Sequence, residues 1–316
     1  MDRSRVAAEL RFLAWVNPLG IIEHAWGRRL LRGLAGLLPP LPVKGVTIDV
    51  IKDAPPLRIY RPKVRKTDAA LLWIHGGGYV IGSPRTCDFR CGDMCREVGI
   101  TIVAVGQRLS PEHAYPLPSD DCLAAWHWLQ TAGPSLGIDP ARVAIGGVSS
   151  GGGLAAGLVQ RVHDAGGVQP IAQLLLAPLL DDRTAARREL DAIKHPVWTN
   201  RLNRLAWRSY LGQEPGGADV PAYAAPARRD DLSGLPTTLI TTSDIDVLYE
   251  ENLHYAERLK QHGIAVTLET VRGAPHGFEE LARGSKMTRA YMALVRDWLR
   301  DVVGTSAASQ PTKITS

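Results

Sequence analysis

From residue 69 to residue 303 the chain alternates short, mostly apolar runs with longer amphipathic stretches, and this rhythm limits the folds it can adopt. The apolar runs are Ala69–Ile74, Ile100–Val105, Val143–Ile145, Ile171–Leu176, Thr237–Thr242 and Val266–Val271. The amphipathic stretches are Thr86–Val98, Asp120–Gln130, Gly151–His163, Glu250–His262 and Lys286–Val303. Two more strands, Val43–Ile51 and Leu57–Tyr60, are predicted ahead of them. Apolar strands separated by helices are typical of a mostly parallel sheet covered on both faces, so we predict an α/β fold with eight strands flanked by helices.

Two segments depart from this rhythm and predict a helical cap. Residues 1–42 contain two amphipathic helical pieces, Arg5–Val16 and Leu19–Leu38, followed by a proline-rich run. Residues 183–226 are rich in arginine and aromatic residues and have a helical pattern where the next strand is due. An insertion at that point tends to lie over the carboxyl ends of the strands, where ligands bind. We therefore expect an N-terminal cap segment at 1–42, a catalytic core at 43–182 and 227–303, a cap insertion at 183–226 and a disordered tail at 304–316.

Composition and charge exclude several classes of protein. No stretch approaches the ~20 uninterrupted apolar residues of a membrane span, and Glu9, Arg11 and Pro18 interrupt any apolar core of a secretory signal. The 37 basic and 32 acidic residues are scattered, aromatic residues make up only 6%, and no nucleic-acid motif occurs, so the net charge of +5 does not indicate nucleic-acid binding. We expect a cytoplasmic protein without stable membrane insertion and without a nucleic-acid partner.

The four cysteines predict buried thiols. Cys87, Cys91 and Cys95 recur every four residues, which places them on one face of a predicted helix, and Cys122 lies apart from them. A zinc site would need a fourth ligand held close by, and neither a CxxC nor an HxxxH pattern supplies one. We expect small buried thiols in a reducing compartment and no bound metal.

The segment Gly147-Val148-Ser149-Ser150-Gly151 matches the pattern G-x-S-x-G. It follows a predicted strand, Arg142–Ile145, and precedes a helix whose first apolar residue is Leu154. A sharp strand-to-helix turn exposes a serine hydroxyl and needs glycines, because neighbouring Cβ atoms would collide. The helix N-terminus also favours negative charge that develops at the turn. A phosphate-binding loop would instead need G-x-x-x-x-G-K-[ST], and no lysine occurs here. The pattern predicts Ser149 as a nucleophile.

A glycine-rich loop, His75-Gly76-Gly77-Gly78, follows the predicted strand Ala69–Ile74. Consecutive glycines leave backbone N–H groups free to face a ligand, and in acyl transfer such donors stabilise the oxyanion of the tetrahedral intermediate. The N–H of Ser150, one residue past the nucleophile, is a further expected donor.

Together these motifs resemble the hormone-sensitive-lipase-like (bacterial family IV) branch of the α/β-hydrolases. The resemblance runs from about Val43 to Val303, and its marks arrive in the family's order: HGGGYVIGS from His75, RLSPEHAYPLPSDD at 108–121, then GVSSGG, DVLYEE and HGF. It implies a carboxylesterase or lipase with a helical cap and no cofactor, monomeric or homodimeric. It also implies that Gly77 and Gly78 supply the oxyanion hole.

One departure from the family pattern lies beside the nucleophile. The usual GDSAGG or GTSAGG is here GVSSGG, so Val148 replaces a polar residue and Ser150 replaces a small apolar one. The glycines and Ser149 remain, so we expect catalysis to be retained with different hydrogen bonds around the turn.

The chain order nucleophile, acid, histidine is typical of this fold. His276 lies in the loop after the last predicted strand, Val266–Val271, which is where the general base is expected. His75 is the rival, although its place in the glycine loop favours a structural role, and His113 is a structural candidate. Asp244 and Asp246 compete for the acid. The family pattern DPLRDE aligns on Asp246-Val247-Leu248, which favours Asp246, and a capping role is the alternative for Asp244.

We therefore predict a serine carboxylic-ester hydrolase, with Ser149, His276 and Asp246 as the triad and a small-molecule ester as substrate. A non-catalytic binding protein on the same fold, an amidase or peptidase, and a membrane-active lipase are the alternatives. Short- to medium-chain acyl esters are expected because bulky cap indoles would narrow the acyl pocket. The candidates for that lining are Trp15, Trp26, Trp198 and Trp207.

Overall fold

A computed structural model of the chain describes residues 3–15, 19–37, 43–53 and 55–304. Its strands are β1 Val46–Ile51, β2 Leu57–Pro62, β3 Ala70–Ile74, β4 Thr101–Val105, β5 Val143–Val148, β6 Ala172–Leu176, β7 Thr237–Thr242 and β8 Val266–Thr270. Its α-helices are α1 Ala25–Leu37, α2 Asp88–Met94, α3 Leu117–Ala132, α4 Ser150–Ala165, α5 Asp182–Ala186, α6 Asn200–Leu211, α7 Tyr249–Gln261, α8 Phe278–Leu281 and α9 Lys286–Gly304.

The eight strands form one sheet in the order β1-β2-β4-β3-β5-β6-β7-β8. The pairs β1·β2 and β2·β4 are antiparallel, and every other pair is parallel. This confirms the predicted mostly parallel, eight-stranded sheet. Because β3, β5, β6 and β7 run side by side in one direction, their carboxyl ends meet at one edge, where the loops that follow them come together.

The core has one hydrophobic layer on each face of the sheet. Side chains alternate along β3, so that Leu72 and Ile74 pack with helices α3 and α4 on one face, and Leu71 and Trp73 pack with helices α2 and α9 on the other. Every residue of β3, β4 and β6 is buried, as expected for central strands covered on both sides.

Strand β5 is longer than the sequence indicated, since it continues to Val148 whereas the pattern ended it at Ile145. Helix α4 spans Ser150–Ala165, close to the predicted stretch Gly151–His163. Glycines are poor helix formers, yet its first turn contains several of them. Here they are required by close packing, since a Cβ at Gly152 would lie 2.8 Å from the Cβ of Pro178.

The N-terminal segment is helical, but its first piece is not an α-helix. Residues Ala8–Ala14 and Gly20–Glu23 form 3₁₀-helices, and the long helix α1 begins only at Ala25. Val16 and Leu38, the predicted ends of the two pieces, lie outside the described residues, as do residues 305–316 of the predicted tail. Gly304, the first residue of that tail, ends α9.

The four cysteines are free and buried. The described part of the chain contains no helix of the length and apolar character needed to cross a membrane.

Candidate active site

Ser149 lies in a sharp turn between β5 and α4. Its backbone has φ 57° and ψ −126°, a conformation that non-glycine residues adopt rarely. The Ser149 N–H donates to the carbonyl of Leu176 on the neighbouring strand at 2.8 Å. A strained residue in a sharp turn between a strand and a helix is the backbone geometry that the G-x-S-x-G pattern predicts.

A chain of three side chains joins Ser149 to a carboxylate. The Ser149 hydroxyl lies 2.8 Å from His276 Nε2, and His276 Nδ1 lies 2.6 Å from Asp246 Oδ2. A carboxylate can only accept, so the proton belongs on Nδ1 and Nε2 is the acceptor for the serine proton. All three side chains are buried, with exposed fractions of 6–7%. The three side chains therefore form one hydrogen-bonded chain in the order serine, histidine, carboxylate.

Asp244, the competing carboxylate, has a different set of contacts. Its Oδ1 accepts a hydrogen bond from the N–H of Gly273 at 2.7 Å, and it lies 3.9 Å from the guanidinium of Arg5. Gly273 in turn accepts from the N–H of Ala7 at 2.9 Å. Asp244 therefore holds the beginning of the loop that carries His276, and this loop is also tied to the N-terminal segment.

The environment of His276 favours its protonated form. Burial lowers the pKa of His276, but the charge of Asp246 and its hydrogen bond to the ring outweigh burial and raise the pKa above its ordinary 6.5. Such a ring is a strong proton acceptor from Ser149, and its protonated form is stabilised by Asp246.

The glycine loop lies directly against the nucleophile. A Cβ at Gly76 would lie 3.2 Å from the Cβ of Ser149. Gly77 and Gly78 have φ of 120° and 59°, values that favour glycine. No backbone hydrogen bond from the N–H of Gly77 or Gly78 occurs within the described ranges. The N–H of Ser150 belongs to the first turn of α4, where such groups have no partner within the helix. Backbone N–H groups without a backbone partner are therefore present in the glycine loop and in the first turn of α4.

His75 braces the glycine loop from inside. Its Nδ1 lies 2.8 Å from the carbonyl of Gly76, and its own carbonyl accepts from Gln107 Nε2 at 3.1 Å. Burial lowers the pKa of His75 to about 4, so the ring is neutral at ordinary pH. His113 is not part of the hydrogen-bonded chain of Ser149, His276 and Asp246. Its backbone carbonyl accepts from the Ser110 hydroxyl.

A buried ion pair behind the His276 loop was not identified from the sequence. The guanidinium of Arg90 lies 2.8 Å from Glu279, three residues after His276, and 2.9 Å from Glu280. Burial lowers the pKa of Arg90, but the two carboxylates outweigh burial and raise it above its usual range. The pair joins residues 189 positions apart, so spacing gave no indication of it. The only sequence signal is an arginine between two cysteines on a face that otherwise packs in the core.

The four cap tryptophans occupy different environments. Trp15 and Trp26 are 72% and 60% exposed, whereas Trp198 and Trp207 are buried. The Trp198 ring stacks on the His276 ring with 5.7 Å between centroids, and Trp207 lies against Tyr79 and Tyr210. Trp198 is therefore the one of these four that stacks on a side chain of the candidate site.

No group of three or more histidine, cysteine, aspartate or glutamate side chains suited to a metal ion occurs among the residues with described side chains.

A family model, curated sequence relatives and solved structures all match this chain, and they agree on the kind of protein it resembles. The family described as alpha/beta hydrolase fold matches residues 71–280. An ethyl acetate hydrolase of Pseudomonas putida is 33% identical over 249 residues, which cover 76% of each chain. The carboxylesterase NlhH of Mycobacterium tuberculosis is 32% identical over 270 residues, or 83% of each chain. The solved structure of a bacterial heroin esterase superposes with a TM-score of 0.87 at 33% identity, covering 95% of this chain and 98% of that one. Esterase LipW of Mycobacterium marinum superposes with a TM-score of 0.82 at 31% identity, covering 95% of this chain and 96% of that one.

Proposed function

This chain belongs to the α/β-hydrolase fold family, in its hormone-sensitive-lipase-like (bacterial family IV) carboxylesterase branch, and from that premise we propose that it hydrolyses short- to medium-chain acyl esters through a Ser149–His276–Asp246 triad. It is a serine ester hydrolase. The observation that carries the triad is the continuous hydrogen-bonded chain from Ser149 through His276 to Asp246. A relative named for the hydrolysis of ethyl acetate supports the short acyl group.

The first half of the reaction forms an acyl-enzyme. His276 Nε2 takes the proton of Ser149 as its oxygen attacks the ester carbonyl carbon, and the carbonyl oxygen becomes an oxyanion held by the N–H groups of Gly77, Gly78 and Ser150. The bond to the alcohol oxygen then breaks, and the proton on Nε2 passes to the departing alcohol. Asp246 keeps the ring in the tautomer that accepts at Nε2 and stabilises the imidazolium.

The second half releases the acid. Water attacks the acyl carbon while His276 takes its proton, the same N–H groups hold the oxyanion, and the bond to Ser149 breaks as the proton returns to its oxygen. Each oxyanion donor of this kind contributes about 3 kcal/mol to transition-state stabilisation in comparable sites.

We also propose that the N-terminal segment and the insertion at 183–226 form a cap over this site. Support comes from the ion pair between Arg201 of α6 and Glu23 at 2.6 Å, which joins the two segments. Arg32 of α1 donates to the carbonyls of Val80 and Ser110, beside the glycine loop.

Hydrolysis of a p-nitrophenyl ester series from acetate to palmitate tests the proposal. We expect turnover that is highest for short to medium acyl chains and declines towards palmitate. The corresponding p-nitroanilides separate ester from amide hydrolysis, and we expect them to react far more slowly. Faster cleavage of the anilides would contradict the assignment as a carboxylesterase, and an optimum at palmitate would favour a lipase.

The pH dependence of kcat/KM reports the protonation state of His276. The ring must be neutral to accept the Ser149 proton, so activity is lost as the pH falls through its pKa, and the midpoint of this acid limb should lie above 6.5 because Asp246 raises that pKa. In Asp246→Asn the residual activity should have its acid limb at lower pH, since the charge that raises the pKa is gone. An acid limb that does not move in this variant would contradict the role of Asp246.

A further inference from the structure

Trp198 lies across the candidate site from the general base to the oxyanion donors. Its ring stacks on His276, and its Cη2 atom lies 2.6 Å from the position that a Cβ on Gly78 would occupy. The indole is 1% exposed, and its Nε1 has no hydrogen-bond partner among the described residues. Trp198 therefore contacts both the general base and the space beside the glycine loop.

Backbone hydrogen bonds hold the chain just before and just after Trp198. The Trp198 N–H donates to the carbonyl of Pro196 at 2.7 Å across Val197, whose φ is 66°. This is a γ-turn with positive φ at a β-branched residue, which is rare and strained. On the other side, the Thr199 hydroxyl accepts from the N–H of Leu202 and begins α6. Strain held between two fixed elements is typical of positions that serve a site.

A cavity of about 420 Å³ lies beside the segment that carries Trp198, between the N-terminal segment and the insertion. Val197 and Thr199, the two neighbours of Trp198 in the chain, line it. The rest of the lining is mixed: it includes the apolar Val6, Ala14 and Ile193 and the charged Glu23, Asp191, Lys194 and Arg201. Since its two neighbours line the cavity while its indole stacks on His276, Trp198 extends from a wall of the cavity to the general base. A cavity of this size is large enough for an acyl chain of several methylene groups.

We propose that Trp198 determines acyl-chain specificity: its indole closes the acyl side of the site, so that Ser149 accepts small acyl groups and the cavity behind stays out of reach. The alcohol oxygen of a bound ester must lie at the Nε2 edge of His276, where it receives its proton. Trp198 covers the face of that ring and extends to Gly78, next to the carbonyl oxygen, which is where the acyl substituent begins. This proposal rests on the proposed function.

The ratio of kcat/KM for p-nitrophenyl octanoate to that for p-nitrophenyl acetate tests it. Trp198→Ala should raise this ratio by about tenfold or more, because added methylene groups gain a pocket to enter. Trp198→Phe, which keeps an aromatic ring and safeguards against loss of folding, should raise the ratio by a smaller factor. Trp207→Ala removes an equally buried indole from the same insertion without opening the cavity to Ser149, and its ratio should equal that of the wild type even where total activity falls.

The possible outcomes distinguish the role of Trp198 in specificity from the proposed ester hydrolysis. An unchanged ratio in both Trp198 variants, with an active wild type, overturns the role of Trp198 and leaves the proposed function intact. A shift that appears with alkyl acetates of increasing alcohol size, and not with increasing acyl length, also overturns it. A wild type that turns over none of these esters contradicts the proposed function and the role of Trp198 with it.

Discussion

Replacing Ser149 with alanine should lower kcat/KM for p-nitrophenyl acetate by about 10⁵-fold or more, because the acyl-enzyme cannot form without its oxygen. The backbone donors of Gly77, Gly78 and Ser150 remain, so a small residual activity above the uncatalysed rate is expected from binding and oxyanion stabilisation. The exposed fraction of Ser149 is only 7%, and the lost hydroxyl contacts one side chain, so the variant should remain folded.

Ser119→Ala is the matched control for this variant. Ser119 is also a buried serine, 3% exposed, but it lies in α3. We expect its activity to stay within a few-fold of the wild type. Circular dichroism and thermal unfolding of both variants would separate a catalytic loss from a folding loss. Full activity in folded Ser149→Ala would refute the assignment of the nucleophile.

Replacing Asp246 with asparagine should lower kcat by about 10⁴-fold, because an amide NH₂ facing His276 Nδ1 favours the tautomer with its proton on Nε2. That tautomer cannot accept the proton of Ser149. The side chain keeps nearly its shape, so the loss of activity should far exceed any change in the free energy of unfolding. Steady-state kinetics with p-nitrophenyl acetate measures this.

Asp244→Asn gives the matched comparison two residues away. Its side-chain oxygen can still accept from the N–H of Gly273, and the ion pair it loses with Arg5 is long and partly exposed, so we expect a change in kcat of less than about tenfold. A larger loss of kcat in Asp244→Asn than in Asp246→Asn would reverse the assignment of the acid.

The parts of the fold that local patterns encode could be predicted from the sequence. Each central strand is an apolar run between helical stretches, because both of its faces are covered, and this gave the eight-stranded sheet. Ser149 and His276 are both predicted in loops that follow strands. Because the carboxyl ends of parallel strands meet at one edge of the sheet, the two residues are expected near each other. The structure brings them to 2.8 Å from each other although they are 127 residues apart.

The choice between Asp244 and Asp246 could not be made from local pattern alone. Both follow β7 closely, and only the three-dimensional position of the His276 loop distinguishes a carboxylate that contacts the ring from one that holds Gly273. The family resemblance favoured Asp246, and the 2.6 Å contact with the ring supports that preference.

Features that depend on long-range packing were not predictable. The glycines at the start of α4 pack closely against the segment after β6, and this contact cannot be read from their low helix propensity. The Arg90–Glu279 pair depends on contact between α2 and α8, which no spacing reveals. The sequence also grouped Trp198 with three other tryptophans, and its stacking on His276, a contact between residues far apart in the chain, distinguishes it from them.

Covalent labelling with a p-nitrophenyl phosphonate tests the central claim, that Ser149 is the activated nucleophile, most directly. We expect stoichiometric release of p-nitrophenol and a single phosphonylated residue, Ser149, identified by mass spectrometry of the peptide that spans residues 143–161. We also expect much slower labelling in Asp246→Asn, because the rate depends on His276 as the base. Modification of another residue, such as Ser150 in the same peptide, with Ser149 left free, would contradict the account.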